Sequence, residues 1–172
     1  MSTKLAAGDP LPSVGLRATD GYLLNLRSFV TKQPVVLLFF GAPTLKGDAA
    51  APGLAAVQAL AAAHRRLHEA GIAVAAISCD SEQEQVDFVA EHKLPFLLFS
   101  DERQSAVGIL GIPTVRQRDN VNVAPPVVVA VDREGVIRAV IDRVEPQYLI
   151  EQVMSVLSEP IPATTEDAAA AS

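Results

Sequence analysis

The sequence predicts an α/β fold with a mixed central sheet between two layers of helices. Residues 35–40 and 72–78 form apolar runs that are continuous rather than alternating, which is typical of strands buried on both faces. A long Ala-rich helical segment lies between them, as a parallel crossover requires. Further apolar runs come in pairs joined by Gly-containing turns, and such pairs are typical of antiparallel hairpins.

The first half of the chain is predicted to form an N-terminal hairpin and two strand–helix units. Asp20-Gly21 is the hairpin turn, Gly71 ends the first helix, and Asp80-Ser81 caps the second. In chain order the segments are a hairpin of strands 14–18 and 22–26, a strand at 35–40, a helix at 48–70, a strand at 72–78 and a helix ending near residue 92.

The second half is predicted to end in a hairpin and an amphipathic helix. That helix carries apolar residues at helical spacing, and the tail after it contains two prolines and a run of alanines. In chain order the segments are a strand at 96–99, a short helix from 101 to 111, a polar loop at 115–122, strands at 127–131 and 136–141, and a helix at 145–157. We therefore expect one domain over residues 1–157 and a disordered tail over 158–172.

Charge, hydropathy and cysteine content restrict the function. A net charge of −6 with a pI near 5.0 argues against nucleic acid and anionic membranes as partners, since both attract basic surfaces. The longest apolar run, at 35–40, is too short to span a bilayer, and the N-terminus has no signal-peptide pattern, so we expect a cytoplasmic protein. Cys79 is the one cysteine, which excludes an internal disulfide, a C-x-x-C pair and a cysteine-rich metal site. We expect no cofactor and no metal.

The order of these segments is that of the thioredoxin fold, and local motifs resemble those of the peroxiredoxin (AhpC/TSA) family. The most specific are LPFLLFSD at 94–101 and VDREGVIR at 131–138. Weaker matches occur at 8–12, 19–22, 26–29 and 76–81, so the resemblance extends from about residue 8 to residue 157. It implies a thioredoxin-like fold and an antioxidant oxidoreductase ancestry.

The family's reactive cysteine is absent. The resemblance implies a T-x-x-C motif before the long helix, where helix N-terminus and an arginine stabilise a thiolate. Thr44 matches the threonine and Gly47 falls at the cysteine, whereas a gap placed differently puts Asp48 there. The segment also resembles membrane-anchored bacterial thioredoxins, whose helix proline corresponds to Pro52. Pro126 stands about where the resemblance places the family's arginine, and it matches the proline that is cis in thioredoxins.

Three functions follow from this resemblance and the missing nucleophile. The first is a binding or regulatory module without peroxidase activity, a candidate homodimer, with a protein partner or a small molecule in the former active-site pocket. The second is an enzyme of non-thiol chemistry that uses the Thr44 to Asp48 pocket. The third is a thiol oxidoreductase or peroxidase that acts through Cys79.

The candidate ligand-binding residues are Thr44, Lys46 and Arg116. Lys46 could hold an anion together with the following helix N-terminus, although a lone loop lysine is usually solvated. Arg116 and Arg118 could contact an acidic ligand from the polar loop, or simply be solvated. Asp48 could serve acid–base chemistry, but the preferred interpretation is a helix N-cap.

Cys79 and two histidines complete the candidates. Cys79 ends a buried strand at the carboxyl edge of the sheet, where it is either a reactive thiol or, preferably, a small buried apolar residue. His64 and His68 lie four residues apart on the long helix and could offer two imidazoles to a metal. Their position near the apolar stripe favours packed or interface histidines instead.

Overall fold

A seven-stranded mixed sheet runs through the centre of the protein. The computed structural model describes residues 5–30 and 32–158. Its strands are β1 (Gly15–Ala18), β2 (Leu23–Asn25), β3 (Val35–Phe39), β4 (Ala73–Ser78), β5 (Leu97–Ser100), β6 (Thr114–Gln117), β7 (Asn120–Val123), β8 (Val127–Val131) and β9 (Ile137–Ile141). Its helices are α1 (Leu26–Phe29), α2 (Ala51–Ala62), α3 (His64–Glu69), α4 (Glu82–His92), α5 (Ser105–Leu110) and α6 (Pro146–Ser158).

The strand order is β2-β1-β5-β4-β3-β8-β9. The central strands β3, β4 and β5 are parallel, whereas β8 and β1 pair with them in the antiparallel sense. The predicted mixed sheet is confirmed, and so are both predicted hairpins, β1–β2 and β8–β9.

Strand β3 divides the core, because its successive side chains point to opposite faces of the sheet. Val35, Leu37 and Phe39 enter one apolar cluster with side chains of α1 and α5. Val36 and Leu38 enter a second cluster with side chains of α2, α3, α4 and α6. The expectation of helices on both faces is therefore confirmed.

The helix predicted at 48–70 is in fact three shorter pieces. A single 3-10 turn at Gly47–Ala49 precedes α2, and α3 follows α2 after Ala63. The N-cap of α2 is Ala50, which makes no side-chain cap bond, and Pro52 occupies its first turn. The preferred interpretation of Asp48 as the N-cap was wrong, because a positive φ at Gly47 turns the chain before the helix begins.

The residues at 115–122 do not form a loop, as the sequence interpretation had it, but the β6–β7 hairpin. Its turn contains Arg118 at a φ of 58°, a left-handed conformation uncommon for a residue with a side chain. Polar residues alternate with valines along β7, whereas β6 contains a single valine, and the high polarity of the segment hid this strand pattern.

Helices α4 and α6 agree with prediction, whereas α5 begins at Ser105 rather than near residue 101, and α1 was not predicted. Ser81 and Glu84 form a reciprocal capping box at the start of α4, and α6 lies within one residue of its predicted bounds. Ser158 closes α6, so the predicted disordered tail otherwise lies outside the described residues. None of the helices in the described part of the chain is long and apolar enough to cross a membrane.

Candidate functional site

The carboxyl ends of β3, β4 and β5 meet at one edge of the sheet, since the three strands are parallel. The loop from Gly41 to Lys46 leaves β3 at this edge, and Cys79 and Asp80 follow β4. The β6–β7 hairpin lies against the loop and leads into β8. The topology therefore brings most of the predicted site residues to one place.

Asn122 joins three segments of this edge through a single amide group. Its Nδ2 donates to Thr44 Oγ1 at 3.1 Å, and its Oδ1 accepts the backbone N–H groups of Cys79 at 2.8 Å and Val123 at 2.9 Å. Asn122 is fully buried. Sequence reasoning missed this residue, because strict alternation with Val121 and Val123 predicts an outward-facing side chain at position 122.

Gln117 clamps the same loop from the other strand of the hairpin. The Lys46 backbone N–H donates to Gln117 Oε1 at 2.7 Å, and Gln117 Nε2 donates to the Lys46 carbonyl oxygen at 3.0 Å. The Gln117 side-chain amide therefore forms the same two hydrogen bonds with the Lys46 backbone that a neighbouring β-strand would form. The Lys46 ammonium group is exposed and donates to the Pro43 carbonyl oxygen at 3.4 Å.

Gly41 allows the loop to approach the hairpin this closely. A Cβ atom at Gly41 would overlap the Val123 carbonyl oxygen, and it would lie 2.6 Å from Leu45 Cδ1 and 3.2 Å from Asn122 Cβ. Side chains larger than a hydrogen are therefore incompatible with this packing.

Asp80 is a buried carboxyl group at the centre of this edge. It is 1% exposed, and within the described residues neither carboxylate oxygen has a hydrogen-bond partner. Burial raises the pKa of Asp80, while the nearby side chains of Ser78, Thr44 and Asn122 oppose part of that rise. These three groups lie close to the carboxylate without reaching hydrogen-bond geometry with it, so the acid has polar neighbours but no firm partner.

Asp101 is the second buried carboxyl group near Cys79. Its two oxygens accept the backbone N–H groups of Ala106 at 3.1 Å and Val107 at 2.9 Å, which caps α5. Burial raises the pKa of Asp101, and the same backbone bonds counteract the rise. Asp101 therefore has a structural role that Asp80 lacks.

The Cys79 thiol is half-buried and packs against the apolar cluster on one face of the sheet. Burial raises its pKa to about 12, and the negative charges of Asp101 and Asp80 add to the rise. A peroxide-reducing thiol needs a lowered pKa and a cationic neighbour. The surroundings of Cys79 have the opposite character.

Gly47 and Asp48, the two positions that the sequence interpretation aligns with the family's cysteine, differ in their surroundings. Gly47 is exposed at a φ of 64°, and a Cβ atom there would meet nothing within 4 Å. Asp48 lines a groove of about 360 Å³ together with Pro52, Arg116 and Pro125. Of the two residues that could replace the cysteine, Asp48 lines this groove and Gly47 does not.

A second groove of about 370 Å³ continues past the same prolines. Pro52 and Pro125 line both grooves, and Pro126 and Arg143 line the second. The cis peptide bond of this loop is Ala124–Pro125, so the match of Pro126 to the cis proline of thioredoxins was wrong by one residue. Pro125 is exposed to the grooves, whereas Pro126 is buried.

The remaining candidates divide between this edge and the opposite one. Arg116 lies in the groove wall, and Arg118 lies in the exposed hairpin turn. His64 and His68 lie at the amino edge of the sheet, where they line a separate groove of about 430 Å³ with Phe96. They do not contribute to the site around Asp80.

Comparison with known proteins identifies the family. The family model described as AhpC/TSA matches residues 7–140. Peroxiredoxin Q, chloroplastic, of Oryza sativa subsp. japonica is 31% identical over 112 residues, covering 64% of this chain and 48% of the relative. The chain thus spans about half the length of the curated relatives it matches.

Solved structures agree on the fold. Peroxidoxin BcpB from Mycobacterium tuberculosis is 16% identical, with a TM-score of 0.72 over 87% of this chain and 94% of the other. A cysteine-to-serine mutant of PrxQ from Xylella fastidiosa is also 16% identical, with a TM-score of 0.71 over 90% of this chain and 96% of the other. At such low identity these likenesses show a peroxiredoxin-like thioredoxin fold, and together with the family match they mean that the chain belongs to the AhpC/TSA family.

Proposed function

We propose that this AhpC/TSA protein is not a thiol peroxidase and instead binds a ligand in the grooves beside Asp48 and Pro125. The observation that carries the proposal is the state of the one thiol. Burial and the two neighbouring carboxyl groups raise the pKa of Cys79 to about 12, so the thiol is protonated at neutral pH. Because the thiolate is the form that attacks a peroxide, a protonated thiol is unsuited to peroxide reduction.

The grooves have features of a binding surface. Pro52 and Pro125 line both grooves. Arg116 and Asp48 line the first groove, and Arg143 and Asp142 line the second. Neither arginine forms an ion pair within the described residues. Guanidinium groups prefer carboxylate and phosphate partners, so we propose a protein segment or a small molecule with an acidic group as the ligand.

A peroxide-reduction assay tests the catalytic half of this proposal. Hydrogen peroxide and an alkyl hydroperoxide are supplied with dithiothreitol or thioredoxin as electron donor, and consumption is compared for the wild type, Cys79→Ser and buffer. We expect the three rates to coincide. Turnover well above buffer would overturn the proposal, and its loss in Cys79→Ser would assign the activity to the thiol.

The binding half is tested with acidic peptides and organic phosphates, using the backbone amide spectrum of the protein as the readout. We expect shifts at the residues that line the two grooves, and weaker binding for Arg116→Ala and Arg143→Ala. Arg133→Ala is the matched control, because Arg133 is exposed in the distant β8–β9 turn. Shifts located elsewhere, or binding that both groove variants retain in full, would contradict the assignment.

A second candidate function is supported by the pair formed by Asp80 and Thr44. An unpartnered buried carboxylate beside a hydroxyl group that Asn122 orients is an arrangement suited to acid–base chemistry. This enzyme hypothesis predicts a turnover, on some substrate, that Thr44→Val abolishes while the protein stays folded. An unaltered turnover in Thr44→Val would exclude it.

A further inference from the structure

His64 and His68 form a pair of imidazoles that the proposed binding function does not use. They are the first and fifth residues of α3, so one helical turn places them on the same face. Their ring centres lie 6.2 Å apart, and the ring planes differ by only 22°. His68 is exposed, and His64 is half-buried with its ring against Phe96 at 6.3 Å.

The charged neighbours of the pair are already engaged. Arg65 forms an ion pair with Glu69 at 3.2 Å, and Arg66 forms one with Glu151 at 2.8 Å. Both ion pairs are exposed, and the carboxylates of Glu69 and Glu151 offset the positive charges of the two guanidinium groups.

We propose that His64 and His68 together chelate a divalent transition-metal ion of the kind that prefers imidazole nitrogen, with Zn²⁺ as the representative. Two metal–nitrogen bonds of about 2.0–2.1 Å at a roughly tetrahedral angle place the ring centres about 5 Å apart. The ring centres must therefore approach by about 1 Å, which requires the exposed His68 side chain to rotate. The half-buried His64 ring lies 6.3 Å from the ring of Phe96.

Water completes the coordination sphere. Within residues 5–30 and 32–158, His, Cys, Asp and Glu side chains form no cluster of three or more placed for a metal. A two-imidazole site binds less tightly than a closed structural site, but it leaves coordination positions open to solvent or to a small ligand in the adjoining groove. The site is at the opposite edge of the sheet from Asp80 and Cys79, so it is independent of the proposed groove.

Calorimetric titration of the full chain with ZnCl₂ tests the proposal, with His64→Gln, His68→Gln and the double variant alongside. We expect one site per chain in the wild type, and affinity lower by at least about tenfold in each single variant, because each removes one of the two donors. His side-chain resonances provide a second readout. Those of His64 and His68 should shift with Zn²⁺, and the chain contains just three histidines.

The matched control is His92→Gln. His92 lies on α4 with its ring centre 4.3 Å from that of Phe88. Its replacement by glutamine should leave the Zn²⁺ affinity unchanged. Thermal unfolding without metal verifies that each variant is folded. Because His68 is exposed, His68→Gln is the variant that disturbs packing least. Undetectable binding, binding that survives in the double variant, or dependence on one of the two histidines alone would overturn the proposal.

Discussion

Asn122 donates a hydrogen bond to the hydroxyl group of Thr44 at 3.1 Å, across 78 positions of sequence. Thr44 is the residue that the sequence interpretation aligns with the threonine of the family's T-x-x-C motif. In this chain its hydroxyl group is thus joined to a buried amide, and the same amide also receives the backbone N–H of Cys79. The loop, the end of β4 and the β6–β7 hairpin are fixed relative to one another by this one side chain.

Replacement of Asn122 by alanine should destabilise the protein by about 2–4 kcal/mol, because two backbone N–H groups lose their acceptor in a buried position. Urea unfolding at pH 7 measures the loss. Amide hydrogen exchange at Cys79 and Val123 should accelerate in the same variant. Asn120→Ala is the control, since Asn120 is exposed in the same strand, and it should change the unfolding free energy little. Equal effects at the two positions would contradict the structural role of Asn122.

Asp80→Asn should stabilise the protein at neutral pH. Burial raises the pKa of Asp80 in the folded state above its ordinary value of 3.8, so between these two pKa values the folded state holds a proton that the unfolded state has released. The stability linked to this proton is complete below pH 3.8 and is lost as pH rises through the folded-state pKa. An asparagine side chain does not ionise, so the stability of Asp80→Asn does not fall with pH for this reason.

The measurement is the free energy of unfolding of the wild type and Asp80→Asn from pH 3 to pH 8. We expect the advantage of the variant to grow with pH and to shrink toward pH 3. Asp101 also has a raised pKa, but it is present in both proteins and cancels in the difference. Asp119→Asn, an exposed carboxyl group in the hairpin turn, is the control. A variant that is less stable than the wild type at pH 7 would mean that the Asp80 carboxylate has a favourable partner.

The sequence alone predicts the sheet, the helical layers and the lack of a cysteine in the loop before the long helix, because all three can be read from local patterns. Continuous runs such as β3 and the capping box at Ser81 are read directly from neighbouring residues. The clamp on the loop was not predictable, because Asn122 and Gln117 act on residues more than 70 positions away. The late start of α2 and the break at Ala63 were missed for a different reason, because alanines favour a helix throughout this segment.

Gly47→Ala should destabilise the protein by about 1 kcal/mol even though the space around the position is open. The cost comes from the backbone, since a φ of 64° brings Cβ close to the following carbonyl oxygen in any residue other than glycine. Gly108→Ala is the contrasting variant. It also has open surroundings but lies within α5 without a positive φ, so alanine should stabilise it by about 1 kcal/mol through helix propensity. Thermal unfolding measures the stability of both variants relative to the wild type. An unchanged stability of Gly47→Ala would mean that the turn has another conformation in solution.

The alkylation rate of Cys79 should rise steadily with pH and show no plateau below pH 10. Only the thiolate reacts with iodoacetamide, and a pKa of about 12 in place of the usual 9.0 keeps the thiolate fraction rising tenfold per pH unit over that range. In 8 M urea the same thiol should react with an ordinary profile, because unfolding removes burial and separates it from the two carboxyl groups. Asp80→Asn should increase the rate in the folded protein by removing one of the negative charges that raise the pKa. A plateau near pH 8 in the folded wild type would identify Cys79 as an activated thiol, and it would reopen peroxide reduction as the function of this site.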